Sequence, residues 1–347
     1  MTLARGCRSG AMPDSGSVEV GRYLMKRHYL ILAAAICLAM VTGWAAAQAY
    51  PAKPVRLVVP FPPGGATDIL ARAISIKAAE KLGQAIIIDN RAGAGGTIGS
   101  ALVAKAPADG YTLLIATGST HSIGPITNPK LPYDVERDFD PVVYVAKTSS
   151  VMVVPASLPV KTLAEFIALA KAKPGQLNYG SSGNGTNSHL SGELFKAQAG
   201  VFITHIPYRG TGLVFNDMMS GQVHMLMDNY VTSQANIKDG RLRVIGVTSP
   251  QRLPFLPDAP TLSEQGLKGF DVSNWFGIYA PHGTPSEAID KVNAAFNAAL
   301  QDPEMIKRLA FLGATPTGST PEQMSKMVAD DKARWAKLIR DRQLVVN

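Results

Sequence analysis

The fold of this chain is decided by the stretch Val55-Arg56-Leu57-Val58-Val59-Pro60-Phe61-Pro62-Pro63-Gly64-Gly65-Ala66-Thr67-Asp68. Its first five residues form an apolar, β-branched run that predicts a buried strand. Prolines and two adjacent glycines end the strand, and a helical pattern begins at Thr67 and Asp68. Glycines allow close approach of the backbone, and a helix start exposes unpaired N–H groups. The loop is therefore typical of an anion site, for a phosphate or a carboxylate.

The alternation of strand and helix continues along the chain. Apolar strands are predicted at 55–59, 85–88, 111–116, 142–154, 177–179, 202–206, 223–227, 243–247 and 275–280. Helices are predicted at 68–82, 98–106, 162–172, 187–199, 285–300, 304–312 and 321–338, and another ends at 218–221. Thr162 with Glu165 predicts a capping box, and Thr284, Asp302 and Thr320 are predicted caps. Strands that alternate with helices indicate a parallel sheet covered on both faces.

Two long strands, at 142–154 and 275–280, suggest that the chain crosses twice between two α/β units. The prediction is a pair of Rossmann-like lobes. Residues 50–148 and 276–347 would form lobe 1, and residues 149–275 would form lobe 2. Neither crossing is rich in glycine and serine, so we expect a hinge rather than a flexible tether.

Composition excludes some classes of protein. Of the 347 residues, 46% are hydrophobic and 17% are charged, which is typical of a globular chain. The formal charge is +8, but no cluster of lysines and arginines with interleaved aromatics occurs, and no zinc-finger pattern is present. We therefore expect no nucleic-acid partner and interpret the positive charge as a scattered basic surface.

The N-terminal region predicts export. A basic segment at 25–28, an apolar run at 29–41 and the alanines at 45–47 have the layout of a signal peptide over residues 25–47. An uncleaved anchor is the alternative. Residues 1–24 resemble neither a signal nor a domain, so we expect an over-extended start with Met25 as the initiator. Both cysteines, Cys7 and Cys37, precede the predicted cut, and the mature chain would have no disulfide.

Two further glycine-rich loops follow predicted strands. Residues 90–99 have the spacing G-x-G-G-x-x-G, which is off register for a dinucleotide site and favours a tight turn. Residues 179–190 combine three glycines with several hydroxyls before a helix, which suits ligand contact or ordinary capping. Ser182 is a weak candidate nucleophile because the surrounding residues do not form G-x-S-x-G. No P-loop pattern occurs in the chain.

Polar side chains also follow other predicted strands, at the edge where open α/β sheets bind ligands. Ser119, Thr120 and His121 follow the third strand, and Tyr208 and Asp228 follow later strands. The histidines lack the spacing of a metal site, and no metal or other cofactor is predicted.

Taken together, these motifs resemble the periplasmic solute receptors of the tripartite tricarboxylate transporter system, the Bug family. The resemblance runs from about Tyr50 to the C-terminus. It rests on Pro60–Gly65 with Asp68, Asn90-Arg91 with Gly93–Gly96, Pro107 with Asp109–Thr112, Tyr179–Gly183 with His189-Leu190, Pro207-Tyr208 with Gly210, and Trp275-Phe276-Gly277.

The resemblance implies a type II periplasmic binding protein, a two-lobed Venus flytrap that closes on a small carboxylate. The ligand would be a di- or tricarboxylate, an acidic amino acid or an aromatic acid. The partners would be membrane transporter subunits or a sensor kinase, and the receptor would act in the periplasm, as a monomer and not as an enzyme.

The carboxylate would be held by loops from both lobes, partly through waters. N–H groups near Gly64, Gly65 and Ala66 would bind one oxygen, and Asp68 would cap its own helix. The hydroxyls and N–H groups of the second loop would complete the clamp, and polar side chains of other strand ends would shape the distal pocket. The predicted ligand-binding residues are Phe61, Pro62, Gly64, Gly65, Ala66, Thr67, Asp68, Ser119, Thr120, His121, Ser181, Ser182, Gly183, Gly185, Thr186, His189, Tyr208 and Asp228.

Two alternatives stay open from the sequence. The first is an exported α/β hydrolase that uses Ser182 or Ser119 with His189 or His121. The second is a nucleotide-binding oxidoreductase, which the off-register glycine spacing argues against.

The signal peptide gives the first testable prediction. Signal peptidase cuts after small residues, so we expect a mature N-terminus just after Ala47. N-terminal sequencing of the exported protein measures this directly. A mature chain that begins well before residue 45 would contradict the prediction.

Overall fold

A computed structural model describes residues 50–344 of the chain. The predicted start at 1–24 and the predicted signal peptide at 25–47 lie outside the described residues. No helix within 50–344 is both long and apolar enough to cross a membrane.

Strands and helices alternate through most of the described chain. The strands are β1 Val55–Val59, β2 Ile86–Asn90, β3 Thr112–Thr117, β4 Phe139–Pro155, β5 Asn178–Ser181, β6 Thr204–Pro207, β7 Met225–Asn229, β8 Leu242–Val247, β9 Ser273–Pro281 and β10 Ala314–Pro316. The α-helices are α1 Ala66–Leu82, α2 Thr97–Ala104, α3 Gly124–Thr127, α4 Leu163–Ala172, α5 Asn187–Ala199, α6 Thr211–Met219, α7 Tyr230–Lys238, α8 Ser286–Leu300, α9 Pro303–Phe311 and α10 Pro321–Asp341. A 3₁₀ turn, Ala94–Gly96, precedes α2, and a π-helical turn, Ser119–Ile123, precedes α3.

The strands form one curled sheet in the order β2-β1-β3-β9-β4-β7-β5-β6, with β8 and β10 also paired to β4. In the first lobe β1 lies between β2 and β3 and is parallel to both. In the second lobe β5 lies between β6 and β7 and is parallel to both. Strand β4 joins them: its residues up to Ser149 pair with β9, and from Ser150 onward it pairs with β7.

The expectation of a purely parallel sheet was wrong. Strand β9 is antiparallel to both β3 and β4, so the sheet is mixed. The physical reason lies in the crossings: a chain that leaves one lobe and later returns runs in opposite directions on its two passages. Strand β9 pairs only with strands of the first lobe's sheet among the described residues.

The predicted helix caps are mostly confirmed. Thr162 and Glu165 form the capping box, and Asp302 and Thr320 each accept backbone N–H bonds at the start of their helices. The prediction for Thr284 was wrong, because Pro285 is the N-cap of α8 and the Thr284 hydroxyl donates to the Pro281 carbonyl instead.

Each lobe has its own hydrophobic core. Leu57, Leu70 and Phe296 are buried in the first, where α1 and α8 cover the sheet. The second contains Phe166 and also Trp335 of the C-terminal helix α10. The sequence prediction assigns 276–347 to lobe 1, but Trp335 belongs to the second core. Helix α10 also contacts both lobes through Asp331, which accepts a bond from the Trp275 indole, and Arg334, which donates to the Asp271 carbonyl.

We predict that Phe276→Ala lowers the free energy of unfolding by about 3–5 kcal/mol, because Phe276 of β9 is completely buried in the first core and its removal leaves a cavity. Urea unfolding followed by tryptophan fluorescence measures the change. Phe202 is 62% exposed, so Phe202→Ala is the matched control and should change stability by less than about 0.5 kcal/mol. Equal effects of the two substitutions would contradict the packing described here.

Candidate functional site

Three helices begin at one small cavity between the lobes. Helix α1 follows β1, helix α5 follows β5, and helix α6 follows β6, so all three start at the carboxyl ends of parallel strands. Their first turns line a small cavity of about 40 Å³, here called the inner cavity. Its lining comprises Phe61, Pro62, Gly65, Ala66, Thr67, Thr117, Ser119, Ser150, Ser182, Asn187, Ser188, Gly210, Thr211, Met227, Asp228, Asn229 and Asn274.

The inner cavity opens beside a larger space, here called the outer cleft. The outer cleft has a volume of about 510 Å³, within the ordinary range of small-molecule sites. Phe61, Ser119 and Ser182 line both spaces. The 3₁₀ turn at Ala94–Gly96 forms one wall of the outer cleft, and Asn184, Gly185, Tyr208 and Arg209 belong to the opposite wall.

The first turns of these helices carry N–H groups without acceptors. Within residues 50–344, the backbone N–H groups of Ala66, Thr67, Ser188 and Thr211 donate to no protein atom, and none of the three helices has a side-chain cap. Each helix start also has a partial positive charge from the aligned peptide dipoles. Three such starts face one cavity, and no Lys, Arg or His side chain of the described residues lines it. The partial positive charges available to an anion there are therefore those of the backbone.

Glycines permit the two lobes to approach at this place. Gly210 has φ +136°, and a Cβ there would lie 2.8 Å from Cγ of Pro62 on the other lobe. Gly95 has φ +64°, and a Cβ there would lie 3.0 Å from the carbonyl oxygen of Asn184. A side chain at either position would therefore be strained and would push the two loops apart. Gly95 belongs to the 90–99 loop, whose spacing does not fit a dinucleotide site, and it permits close contact between the lobes instead.

The first loop is organised from within by Asp68. Its carboxylate accepts from the Gly64 N–H at 2.9 Å, from Arg72 Nε at 2.9 Å and from Asn90 Nδ2 at 3.0 Å. Burial alone would raise the pKa of Asp68, but the bonds from Arg72, Gly64 and Asn90 outweigh it and hold the pKa below its usual value. Asp68 lines neither the cavity nor the cleft.

Of the three N–H groups expected to bind an oxygen, at Gly64, Gly65 and Ala66, only that of Ala66 has no acceptor in the described chain. Gly64 donates to Asp68, as described, and Gly65 donates to the Pro62 carbonyl at 3.3 Å. The unpartnered donors are one step further along, at Ala66 and Thr67, because the loop turns back on itself before α1 begins. Asp68 closes this loop turn through the Gly64 N–H, whereas the N-cap residue of α1 is Gly65.

The second loop is held by its own hydroxyls and by His189. Ser182 N–H donates to Ser188 Oγ at 2.9 Å, and Gly183 N–H donates to Ser181 Oγ at 3.1 Å. Gly185 N–H donates to His189 Nδ1 at 3.1 Å, and burial is the main reason why the pKa of His189 is lowered. Most N–H groups of this loop are therefore occupied, and its free donor on the inner cavity is the Ser188 N–H of α5.

A hydrogen bond crosses the cleft beside the cavity. The N–H of Asn187, the first residue of α5 in the second lobe, donates to Ser119 Oγ of the first lobe at 3.0 Å. The Asn187 side chain also donates to the Ser273 carbonyl at 3.1 Å. These bonds keep the lobes close together at the cavity.

Asp228 and Thr117 place unusual polar atoms on the cavity. Asp228 is completely buried, and its Oδ2 accepts from the hydroxyls of Thr232 and Ser233. Burial raises the pKa of Asp228 to about 6, although these hydroxyls, the Thr211 hydroxyl and the Asn229 N–H partly oppose the shift. Neither Asp228 Oδ1 nor Thr117 Oγ1 has a hydrogen-bond partner of good geometry within the described residues.

Of the eighteen predicted ligand-binding residues, eleven line the cavity or the cleft and seven do not. The seven are Gly64, Asp68, Thr120, His121, Ser181, Thr186 and His189. They lie behind the walls because they hold the loops: the Thr120 hydroxyl donates to the Thr117 carbonyl at 3.1 Å, and the Thr186 hydroxyl donates to the Gly183 carbonyl at 2.7 Å. His121 packs among Tyr133, Phe139 and Tyr279, and burial lowers its pKa to about 3.

Several residues of the cavity and cleft were not predicted. On the inner cavity these are Thr117, Ser150, Asn187, Ser188, Gly210, Thr211, Met227, Asn229 and Asn274. Most of them lie at the end of a strand or at the start of a helix. Their position after a predicted strand could therefore have identified them from the sequence. Ser150 gave no such signal, because it lies within a continuous β-prone stretch.

The serine–histidine pairs proposed for a hydrolase do not form in the structure. Ser182 Oγ contacts Ser188 Oγ at 3.0 Å, Ser119 Oγ accepts from Asn187, and both predicted histidines have the other partners described above. The pair that does form is Ser181 with His205, at 2.6 Å. Ser181 is completely buried, and burial lowers the pKa of His205 to about 3, so this pair suits a structural bond rather than nucleophilic attack.

Tyr208 and Arg209 stand at the mouth of the outer cleft. The Tyr208 hydroxyl donates to Asp217 at 2.5 Å, and burial together with this carboxylate raises the pKa of Tyr208 to about 12. Arg209 is exposed. Among residues 50–344, no three His, Cys, Asp or Glu side chains are placed to hold a metal ion.

Comparison with known proteins adds a family and a set of relatives. The model of the tripartite tricarboxylate transporter family receptor matches residues 70–344. The UPF0065 protein in the tcbD-tcbE intergenic region of Pseudomonas sp. strain P51 is 43% identical over 319 residues, which are 90% of this chain and 94% of the relative. BugT of Bordetella pertussis is 37% identical over 318 residues, which are 91% of this chain and 98% of BugT.

Solved structures agree with the fold. The R. palustris protein Rpa4515 with adipate is 38% identical and has a TM-score of 0.83, over 85% of this chain and 99% of that chain. MatC from Rhodopseudomonas palustris with bound malate is 34% identical and has a TM-score of 0.80, over 84% of this chain and all of MatC. The alkanesulfonate-binding protein SsuA of Xanthomonas axonopodis, at 14% identity and a TM-score of 0.53, shares the fold.

The Asp68 network generates a prediction about stability and pH. Asp68→Asn should lower the free energy of unfolding by about 2 kcal/mol at pH 7, because it removes the acceptor of charge-assisted bonds in a buried loop. The pKa of Asp68 is depressed in the folded state, so its contribution is present above the pKa of an unfolded aspartate and is lost as pH falls through the folded value.

The measurement is denaturant unfolding of both proteins at pH 7 and near pH 3, where the difference between them should shrink. Asp330→Asn is the control, since Asp330 pairs with Lys326 on the exposed surface of α10 and should contribute less than about 0.5 kcal/mol. A difference between wild type and Asp68→Asn that does not depend on pH would contradict the role given to the carboxylate.

Proposed function

The chain belongs to the tripartite tricarboxylate transporter receptor family, and we propose that it is an extracytoplasmic receptor that binds a small carboxylate between its two lobes. The observation that supports this most is the convergence of three helix starts, with unpartnered N–H groups, on the inner cavity. A carboxylate matches such a site in charge and in hydrogen bonding, because it only accepts.

The size of the site suits a small organic acid. The inner cavity has room for one head group, and the outer cleft beside it has room for the body of a small organic acid. Two similar solved structures are those of Rpa4515 with adipate and of MatC with bound malate, and both molecules are dicarboxylates. Di- and tricarboxylates, acidic amino acids and aromatic acids are the candidate ligands here.

Closure supplies the affinity in this proposal. The donors on Ala66 and Thr67 belong to one lobe, and those on Ser188 and Thr211 belong to the other. An anion that contacts both sets stabilises the closed form more than the open form, and this difference shifts the equilibrium toward closure. Binding of this kind needs no nucleophile, so we propose a receptor rather than an enzyme.

The partners and the compartment follow from the family and from the N-terminal sequence. We propose that the signal peptide at 25–47 directs the chain to the periplasm. There it would work as a monomer and deliver its ligand to the membrane subunits of a tripartite tricarboxylate transporter. Delivery to a sensor kinase is the alternative use of the same closed form.

A thermal-shift screen across mono-, di-, tri- and aromatic carboxylates and acidic amino acids tests the proposal. Saturating ligand should raise the melting temperature, since a ligand at about 100 times its Kd stabilises by about 2.7 kcal/mol. NAD and NADP serve as negative controls for the oxidoreductase alternative. If no acid raises the melting temperature, the receptor proposal is wrong.

Ala66→Pro tests the part of the site that binds the anion. Ala66 is the first residue of α1, a position that accepts proline, and Gly65 has φ −75° and ψ 164°, the conformation preferred before proline. The substitution removes one unpartnered N–H from the inner cavity. We expect the Kd for the acid found in the screen to rise about tenfold, which corresponds to about 1.4 kcal/mol, with calorimetry as the measurement.

Ser286→Pro is the matched control. Ser286 is the first residue of α8, its N–H also lacks an acceptor in the described chain, and it is exposed far from the cavity lining. This variant should bind like the wild type. Equal loss of affinity in both variants, or none in Ala66→Pro, would sink the idea that the α1 start binds the anion.

A further inference from the structure

Two residues that line the inner cavity each carry a buried polar atom that has no role in the site described so far. Asp228 and Thr117 are each 1% exposed, and both line the inner cavity. Asp228 Oδ1 and Thr117 Oγ1 lack hydrogen-bond partners of good geometry among residues 50–344. An unpaired buried carboxylate oxygen is costly, so such an atom points to a partner that arrives from outside the protein.

The carboxylate of Asp228 is oriented by two hydroxyl groups of α7. Thr232 and Ser233, in the first turn of α7, both donate to Oδ2. The Thr211 hydroxyl and the Asn229 N–H also lie near the carboxylate, but Oδ1 has no partner of good geometry among the described residues. Burial raises the pKa of Asp228 to about 6, and the ionised carboxylate accepts hydrogen bonds but donates none.

The missing donor is not supplied by a charged side chain. No Lys, Arg or His among the described residues lines the inner cavity. The same cavity also presents the N–H groups of Thr67 and Ser188, which need an acceptor. A ligand in this cavity should therefore carry both a hydrogen-bond acceptor, for the N–H groups, and a hydrogen-bond donor, for Asp228.

The size of the cavity brings these two requirements close together. A volume of about 40 Å³ is a few times the roughly 10–15 Å³ that a cavity needs to hold one water, so it admits one small head group. A carboxylate against the helix starts and a donor against Asp228 must then lie on neighbouring atoms. A hydroxyl or an ammonium group on the carbon next to the carboxylate satisfies both.

We infer that Asp228 and Thr117 form a subsite for a hydrogen-bond donor on carbon 2 of the bound acid. The subsite selects 2-hydroxy and 2-amino acids over acids that lack the substituent. This inference rests on the proposed function, because it concerns the same carboxylate site. Malate carries such a hydroxyl and adipate does not, so the two acids named for similar structures differ in the feature that Asp228 would recognise.

Calorimetry on the mature protein with two matched pairs of acids tests the inference. The pairs are malate with succinate and glutamate with glutarate, which differ only in the substituent on carbon 2. Wild type should bind at least one substituted acid at least about tenfold tighter than its partner, because a site built for a donor rejects the analogue that lacks it. The pair that shows the preference tells whether hydroxyl or ammonium is the donor.

Two substitutions assign that preference to the subsite. Asp228→Asn removes the charge, and Thr117→Val removes the hydroxyl at nearly the same volume. In either variant the ratio of the two Kd values should fall to about threefold or less. Thr117→Ser keeps a hydroxyl and should keep the ratio.

Asp271→Asn is the matched control for the carboxylate. Asp271 Oδ1 is also buried without a partner in the described chain, but Asp271 lines neither the cavity nor the cleft. This variant should keep the wild-type ratio. If Asp228→Asn does not fold by circular dichroism, Thr117→Val decides the question alone.

These measurements distinguish failure of the subsite from failure of the proposed function. If acids bind but each pair binds equally, or if the ratio survives Asp228→Asn or Thr117→Val, the subsite is wrong and the two atoms hold water. If no acid binds at all, the proposed function itself fails.

Discussion

Strand β4 is the element on which both the fold and the site depend. It is hydrogen-bonded to β9 up to Ser149 and to β7 from Ser150 onward, so one continuous strand belongs to the sheets of both lobes. The change of partner occurs at Ser150, which lines the inner cavity. Because the ladder is continuous, the two lobes share one strand, and helix α10 also contacts both. The inner cavity lies beside this change of partner.

The chemistry of the site follows from that arrangement. Each α/β unit directs the starts of its helices toward the edge where parallel strands end, and the shared strand makes the two edges face each other. The partial charges of the backbone then converge without a cationic side chain on the cavity. The buried carboxylate of Asp68 holds the first loop in place by accepting bonds from Gly64, Arg72 and Asn90. The N–H groups of Ala66 and Thr67 are not used in this network and have no acceptor within the described residues.

The sequence predicted much of the fold because local patterns carry it. The apolar run at Val55–Val59, the helix at Asn187–Ala199 and the Thr162 capping box each follow from neighbouring residues. The short helix α7 was missed because its residues have little amphipathic pattern, and β10 because it is three residues long. Trp335 was assigned to the wrong core for another reason: an amphipathic pattern reveals that a face is buried, but not which lobe buries it.

What the sequence by itself determined about this protein is the α/β class, the glycine-containing loops before helices, and a resemblance whose family membership the comparisons show. Only the tertiary structure decided which donors and acceptors meet. Gly64 and Ala66 are both small residues of the same loop before α1, and the sequence does not distinguish their N–H groups. In the structure the Gly64 N–H is bonded to Asp68 and the Ala66 N–H is not. Thr117 and Asp228 are 111 positions apart and share one cavity of about 40 Å³. Whether a polar group has a partner depends on distances of a few ångströms between distant parts of the chain, and local patterns do not encode those distances.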